Sequence, residues 1–296
     1  MKDVTRAYVE LHIAVLLFGF TAILGDLIQL TALSLVWWRV LITSISLLLL
    51  IRVGRLFREM PRADLKRFMG IGILVALHWI CFYGAIKLSN ASIALIAMAT
   101  TSFFTSLLEP FLLRQRVKWM EIALGVLIIP GMVLIVNSTA LSKLNGLWIG
   151  LLAAFLAALF ATLNKKWMEN HRVLEITFLE LGTACLFISA ILPFYFWITQ
   201  DALSSLLPSP TDWLYLLVLS LLCTTLAYVL ALRSLKHLSA FAANLTVNLE
   251  PVYGIALAWF ILGENEELTS GFYWGGAIIL VAVFSYPILK KRRIRG

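Results

Sequence analysis

Residues 244–264 read NLTVNLEPVYGIALAWFILGE. The second half has the composition of a helix that faces lipid. The first half sets Asn244, Thr246, Asn248, Glu250 and Pro251 in the same apolar run. In hydrocarbon every backbone polar group must find its partner inside the protein. A carboxylate at the bilayer centre costs roughly 2.5–3.5 kcal/mol on insertion scales. Two amides, a hydroxyl, a carboxyl and a helix-breaker in such a place either line a pathway or hold helices together.

The surrounding chain decides that the run is membrane-embedded. Of its 296 residues 61% are hydrophobic and only 14% charged, whereas soluble domains carry about 25% charged residues. The apolar residues come in blocks of the length, about 20 residues, that crosses a bilayer as a helix. Ten candidate spans fall at 9–29, 33–52, 68–88, 91–113, 120–137, 146–168, 174–199, 213–234, 240–262 and 271–289. The expected fold class is an all-α polytopic membrane protein with ten transmembrane helices. The first span, with Glu10 and His12 at its entry and no small-residue cleavage site after it, reads as a span and not as a cleaved signal. Cys81, Cys185 and Cys223 lie within spans without metal-ligand spacing and read as small apolar core residues.

Charge sets the orientation. With the N-terminus inside, 21 of the 24 basic residues fall in inner segments, Lys87 and Lys143 fall outside, and Arg39 lies within a span. Asp201, Asp212, Glu264, Glu266 and Glu267 are all on the outer side. The positive-inside rule then places both termini in the cytoplasm. The tail with Lys290, Lys291, Arg292, Arg293 and Arg295 is a topology and lipid-headgroup anchor, so the lipid bilayer is a partner and nucleic acid is not.

No soluble domain fits between the spans, and residues 1–296 form one membrane domain with an internal repeat. A shift of 149 positions pairs Lys87 with Lys236, Ala91 with Ala240, Ala94 with Ala243, and Thr101-Ser102 with Glu250-Pro251. The hydropathy pattern follows as five spans plus five, over residues 1–138 and 145–290. An odd number of spans per half forces opposite orientations, so these are two inverted five-helix repeats. Inverted repeats are a mark of secondary transporters, with the site near the midplane; duplication also builds channels and passive bundles.

This arrangement, with NLEPVYGIALAWFILGE followed by the small-residue span GFYWGGAIIL, resembles the EamA-type branch of the drug/metabolite transporter superfamily. The resemblance covers nearly the whole chain. Its most specific piece is the spacing from Pro251 to Leu262-Gly263-Glu264, and the first half departs from it with Ser102 and Arg114-Gln115 at the matching positions. It implies a plasma (inner) membrane carrier, many relatives being exporters of amino acids and other small metabolites, with a central cavity lined from both halves.

Counting inward at ~1.5 Å per residue puts His78, Thr101 and Glu250 at one level near the midplane, with Thr101 and Glu250 facing each other as repeat equivalents. Pro251 cannot donate to Val247 and breaks the helix beside Glu250. Asn244, Asn248 and Pro251 share one helical face, and Thr246 and Glu250 another. An intramembrane carboxyl is by default a functional candidate, against the reading that Glu250 is neutral or paired and the amides join helices. His78 and Glu250 are candidates for proton coupling, and Trp79 and Tyr83 are deep enough to stack on a substrate or to pack the core. Arg39 and Glu180 bracket the cavity as charges from the two halves, unless Arg39 snorkels outward. Tyr228, Thr224 and Thr225 are candidate walls. Glu109, one turn from Arg114 and Arg116, reads as an interfacial ion pair, and Lys165 and Lys166 as anchors. Trp37, Trp38, Trp119, Trp148, Trp213 and Trp274 fit interfacial belts. The patterns Gly146-xxx-Gly150 and Gly271-xxx-Gly275 fit close helix packing within one chain or a homodimer.

The function these features point to is a secondary carrier of small polar metabolites, an exporter of amino acids or similar compounds. No nucleotide-binding motif is present, so ATP-driven pumping is not expected; no cofactor or metal is implied. A carrier of nucleotide sugars or organic phosphates would need several basic cavity residues, and only Arg39 is available. An integral membrane enzyme would need a catalytic cluster, and the four histidines are scattered.

Overall fold

The computed structural model describes residues 2–263 and 269–281, apart from 139, 201 and 279, together with residue 285. Asp201, the acidic Glu264, Glu266 and Glu267, the basic tail and the end of the 271–289 span lie outside the described residues. Every long regular element within them is helical. In chain order they are α1 (Lys2–Leu27), α2 (Ala32–Leu48), α3 (Val53–Glu59), α4 (Arg62–Leu88), α5 (Ala91–Met98), α6 (Thr101–Leu113) and α7 (Trp119–Ser138). There follow α8 (Leu144–Trp167), α9 (Val173–Thr199), α10 (Pro210–Ser220), a π-helical turn over Leu221–Leu226, α11 (Ala227–His237), α12 (Ala240–Val247) and α13 (Glu250–Ile261). Residues 270–278 are helical again. Among the described residues six helices are long and apolar enough to cross a membrane, and a seventh if α2 and the strongly bent α3 are taken together. The protein is a multi-pass helical membrane protein.

The charged segment 53–67, between the second and third candidate spans, is α3 followed by the first residues of α4. The chain turns by 88° between α2 and α3, and Arg55 pairs with Glu59 at 2.7 Å along α3. Pro61 both ends α3 and starts α4. Its ring keeps Met60 extended (φ −81°, ψ 127°), and its own fixed φ suits a helix start.

The 91–113 and 240–262 spans are each broken near the middle, and in the same register. Asn90 caps α5 by accepting from Ile93 N at 2.9 Å, and Ser239, 149 positions on, caps α12 by accepting from Ala242 N at 3.1 Å. Both pieces then run for eight residues. The second break falls at Asn248-Leu249, just before Glu250, so Pro251 sits in the first turn of α13 where a missing N–H is harmless. The proline therefore opens a new helix. The first break has no proline. There the Thr100 hydroxyl donates to Ala97 O at 2.7 Å and the Thr101 hydroxyl to Met98 O at 2.6 Å, serving carbonyls at the helix end.

The broken helices pack reciprocally, α12 on α6 and α13 on α5. Asn244 Nδ2 donates to Thr105 Oγ1 at 2.8 Å and Asn248 Nδ2 to Ser102 Oγ at 2.7 Å. Glu109, read as an interfacial ion pair, is buried, and its carboxylate accepts from Phe241 N at 2.7 Å in the first turn of α12, where a helix presents unpaired N–H groups and positive potential.

Small residues set the remaining spacings. Gly146 and Gly150 lie against Ser89 and Ala97, and Gly271 and Gly275 against Ser138 and Gly131, so both glycine patterns serve packing inside the chain. At Gly72 of α4 a Cβ would strike the backbone of Glu180 in α9. Gly72→Ala should therefore lower the thermal unfolding midpoint in detergent, by the equivalent of about 1–3 kcal/mol of overpacking. Gly70→Ala, with nothing within 4 Å of the new methyl, should leave the midpoint unchanged or raise it, because alanine favours a helix.

A candidate substrate cavity beside the helix breaks

Where α5/α6 and α12/α13 break, the interior holds a cavity of about 120 Å³. Thr101, Asn244 and Glu250 reach it from the broken helices, His78 and Trp79 from α4, Arg39 from α2, Asn164 from α8 and Tyr228 from α11. Of the residues that sequence reasoning also placed there, Tyr83, Asn248, Glu180, Thr224 and Thr225 are outside its lining. Tyr83 stands one layer back behind Arg39, Asn248 faces α6, Glu180 lies behind Tyr228, and Pro251 packs in the first turn of α13.

Arg39 does not snorkel. It is 2% exposed, with Nε donating to Thr224 Oγ1 at 2.6 Å and Nη1 to the Tyr83 hydroxyl at 2.8 Å. Its guanidinium carbon lies 4.0 Å from the centre of the Trp79 ring, a cation–π contact that strengthens away from water. The third nitrogen, Nη2, has no partner among the described residues. Thr224 is available to Arg39 because the helix widens there. In the π turn the Thr224 hydroxyl donates to Leu219 O at 2.6 Å and the Thr225 hydroxyl to Ser220 O at 2.9 Å. Thr43 of α2 adds a bond to Ser220 O at 3.1 Å. Single-turn π segments of this kind recur at functional sites.

Glu250 is 7% exposed and has neither a hydrogen bond nor an ion pair among the described residues. The carboxyl and the guanidinium thus share one cavity without pairing. His78 is oriented by Nδ1–H donation to Ala153 O at 2.8 Å. That bond fixes the tautomer and leaves Nε2 as an acceptor with no partner among the described residues. Phe82 stacks on the imidazole and Phe160 meets its edge. Among the described residues no three His, Cys, Asp or Glu side chains converge as metal ligands.

A second, larger cavity of about 700 Å³ opens where Arg6, Arg52, Arg55, Arg172 and Arg233 cluster. It is the roomier of the two, but it lacks the buried unpaired groups of the inner one. Glu10 there takes Arg6 at 2.9 Å and Arg233 of α11 at 3.1 Å. The helices α1 and α11 line both spaces, with Leu11, Leu232 and Leu235 on the inner side.

The EamA-like transporter family matches this chain twice, over residues 6–137 and 144–286. The chain belongs to that family. Members of known and unknown substrate resemble it at similar levels. An uncharacterized transporter, YxxF, of Bacillus subtilis is 24% identical over 98% of this chain and 92% of its own length. A probable amino-acid metabolite efflux pump of Salmonella typhimurium is 25% identical over 86% of this chain and 89% of its own. The pseudopaline exporter CntI of Pseudomonas aeruginosa is 24% identical over 88% of both. A solved crystal structure 15% identical in sequence superposes with a TM-score of 0.68 over 97% of this chain and 98% of that one, and so shares the fold. The protein is accordingly a membrane transporter of small molecules.

Asn164 and the π turn escaped sequence reasoning. Asn164 precedes Lys165-Lys166 and was masked by that anchor pair; a lone amide at the end of an apolar run was the available signal. The π turn carried only the adjacent Thr224-Thr225 as its mark. The Arg39 network predicts a coupling between residues. Tyr83→Phe leaves a buried N–H unpaired and should cost about 1–3 kcal/mol of stability. In an Arg39→Met background the same substitution should cost less than half as much, as read by a double-mutant cycle of thermal unfolding.

Proposed function

We propose that the protein is a secondary-active exporter of amino acids or similar small metabolites, working by alternating access. In this reading its ten transmembrane helices form two inverted five-helix repeats, over 1–138 and 145–290, in the plasma (inner) membrane with both termini cytoplasmic. The two family matches, the shared 149-residue register of the two broken helices and the reciprocal packing of their halves support the repeat. The concentration of basic residues in the inner segments supports the orientation.

One observation carries the substrate reading. Arg39 and Glu250 are buried in one cavity, are not paired with each other, and each keeps polar atoms without a partner. An unpaired buried charge is costly, and a zwitterion relieves both at once, its carboxylate meeting the Arg39 guanidinium and its ammonium the Glu250 carboxylate. The His78 Nε2 and the Asn244 amide add polar contacts, and Trp79 and Phe160 supply apolar walls. Glu250 is also where a proton and the substrate's ammonium would compete, and His78 is the other group able to exchange one. The names of the efflux pump and exporter relatives agree with export. Nucleotide sugars and organic phosphates fit poorly, since Arg39 is the single Lys or Arg among the cavity-lining residues.

Metabolite profiling of the medium tests the proposal. Cells overproducing the protein should accumulate a small set of amino acids or related zwitterions outside. Glu250→Gln, Arg39→Met and His78→Ala at matched membrane levels should lower that accumulation at least tenfold, tenfold and several-fold respectively. If Glu250→Gln and Arg39→Met export as well as the intact protein, the zwitterion site is wrong; if no compound differs, export itself is wrong.

A further inference from the structure

Behind the cavity wall lies a carboxyl that the zwitterion site does not use. Glu180 of α9 is fully enclosed. Its Oε2 accepts from the Tyr228 hydroxyl at 2.6 Å and from Asn164 Nδ2 at 3.3 Å. Its Oε1 has no partner among the described residues, and neither has the Asn164 Oδ1. Two buried acceptors thus go without a donor, where such atoms are normally satisfied.

Among the described residues no cation answers the carboxyl. From α11 it faces Tyr228, and from α8 Asn164. The α4 side presents the backbone at Gly72, while His78 of that helix is committed to Ala153 O. From α2 the nearest candidate is Arg39, whose donors go to Tyr83 and Thr224 and which makes no ion pair with Glu180. Lys165, next to Asn164, donates instead to Leu235 O at 2.8 Å. A bare carboxylate in this setting would be an uncompensated buried charge.

We propose that Glu180 is a proton-binding site, loaded in this conformation and exchanged for substrate during transport. Tyr228 and Asn164 both contact Glu180 and both line the cavity, so the carboxyl is one side chain away from the substrate. A substrate ammonium held by Glu250 in the same cavity brings a positive charge towards the wall of Asn164 and Tyr228 behind which Glu180 lies. It therefore stabilises the carboxylate, and the carboxyl O–H bond breaks with its proton passing to water in the opened cavity. Proton and cationic substrate thus exclude each other across Tyr228 and Asn164, a linkage that works in both directions. The outcome is antiport, with inward protons driving outward substrate. This rests on the exporter reading above, and the experiment separates the two.

Proteoliposomes would carry the intact protein, Glu180→Gln or Tyr228→Phe, with a pH-sensitive dye inside and a labelled mixture of the twenty common amino acids as probe. The intact protein should exchange label and move protons when the mixture is added. Glu180→Gln, a neutral mimic of the loaded site, should lose at least tenfold of the substrate-driven proton flux and of accumulation driven by a pH gradient, while retaining label exchange at a quarter or more of the intact rate. Tyr228→Phe keeps the carboxyl but removes its strongest donor, and should shift the pH at half-maximal exchange upward. Undiminished proton flux in Glu180→Gln, or an unshifted profile in Tyr228→Phe, overturns the proton site and leaves the exporter reading intact. Absence of label exchange by the intact protein removes the exporter reading and the proton site with it. If Glu180→Gln does not assemble, as judged by size-exclusion profile, the Tyr228→Phe profile decides.

Discussion

The position of every other functional group depends on two helices that stop and restart within the apolar interior. A helix end exposes backbone N–H and C=O groups, and hydrocarbon offers them nothing. The chain resolves this by facing the two breaks against each other. Asn244 and Asn248 reach hydroxyls on α6, the hydroxyls of Thr100 and Thr101 serve carbonyls at the end of α5, and the Glu109 carboxylate takes an N–H at the start of α12. These bonds hold the halves in register and leave a small space at the breaks where side chains from several helices converge.

Around that space the polar residues divide into two kinds. Tyr83 and Thr224 have their partners within the protein and act as supports. Asn248 donates to Ser102, while its Oδ1, like Arg39 Nη2, His78 Nε2 and the Glu250 carboxyl, has no partner among the described residues. Two donors and the Trp79 ring immobilise the Arg39 guanidinium, and its third nitrogen has no partner among the described residues. Such preorganisation lowers the ordering cost of binding. Oppositely charged groups that do not neutralise each other are destabilising to an empty cavity, which favours either occupancy or a conformational change.

The π turn and the fit of Gly72 against α9 connect this space with the rest of the bundle. The π turn joins α10 to α11, and α11 carries Tyr228 towards the inner cavity and Arg233 towards the larger one. A shift of α11 about that turn would act at once on the Thr224–Arg39 bond and on the Glu10–Arg233 pair. Alternating access requires coupling of that kind between a central site and one face.

Composition alone determined that the chain is a helical membrane protein, because an apolar fraction this high with so few charges has no soluble fold. Lys87, Ala91 and Ala94 with their counterparts 149 positions later marked the register that the two broken helices share, since cap residues are local properties of sequence. The polarity of Glu250, Arg39 and His78 in apolar runs marked them as exceptional for the same reason. What sequence could not decide was where each exceptional side chain points. Asn244 and Asn248 lie on the same helical face one turn apart, yet only Asn244 also borders the cavity, and Glu180 and Glu250 are equally isolated in sequence but fall on opposite sides of the wall. Those outcomes depend on the rotation of each helix against partners distant along the chain, such as the contact of Gly72 with Glu180. The break before Pro251 and the widened turn at Thr224 were likewise set by tertiary packing, because only neighbouring helices can supply the partners that make an interrupted helix tolerable inside a membrane.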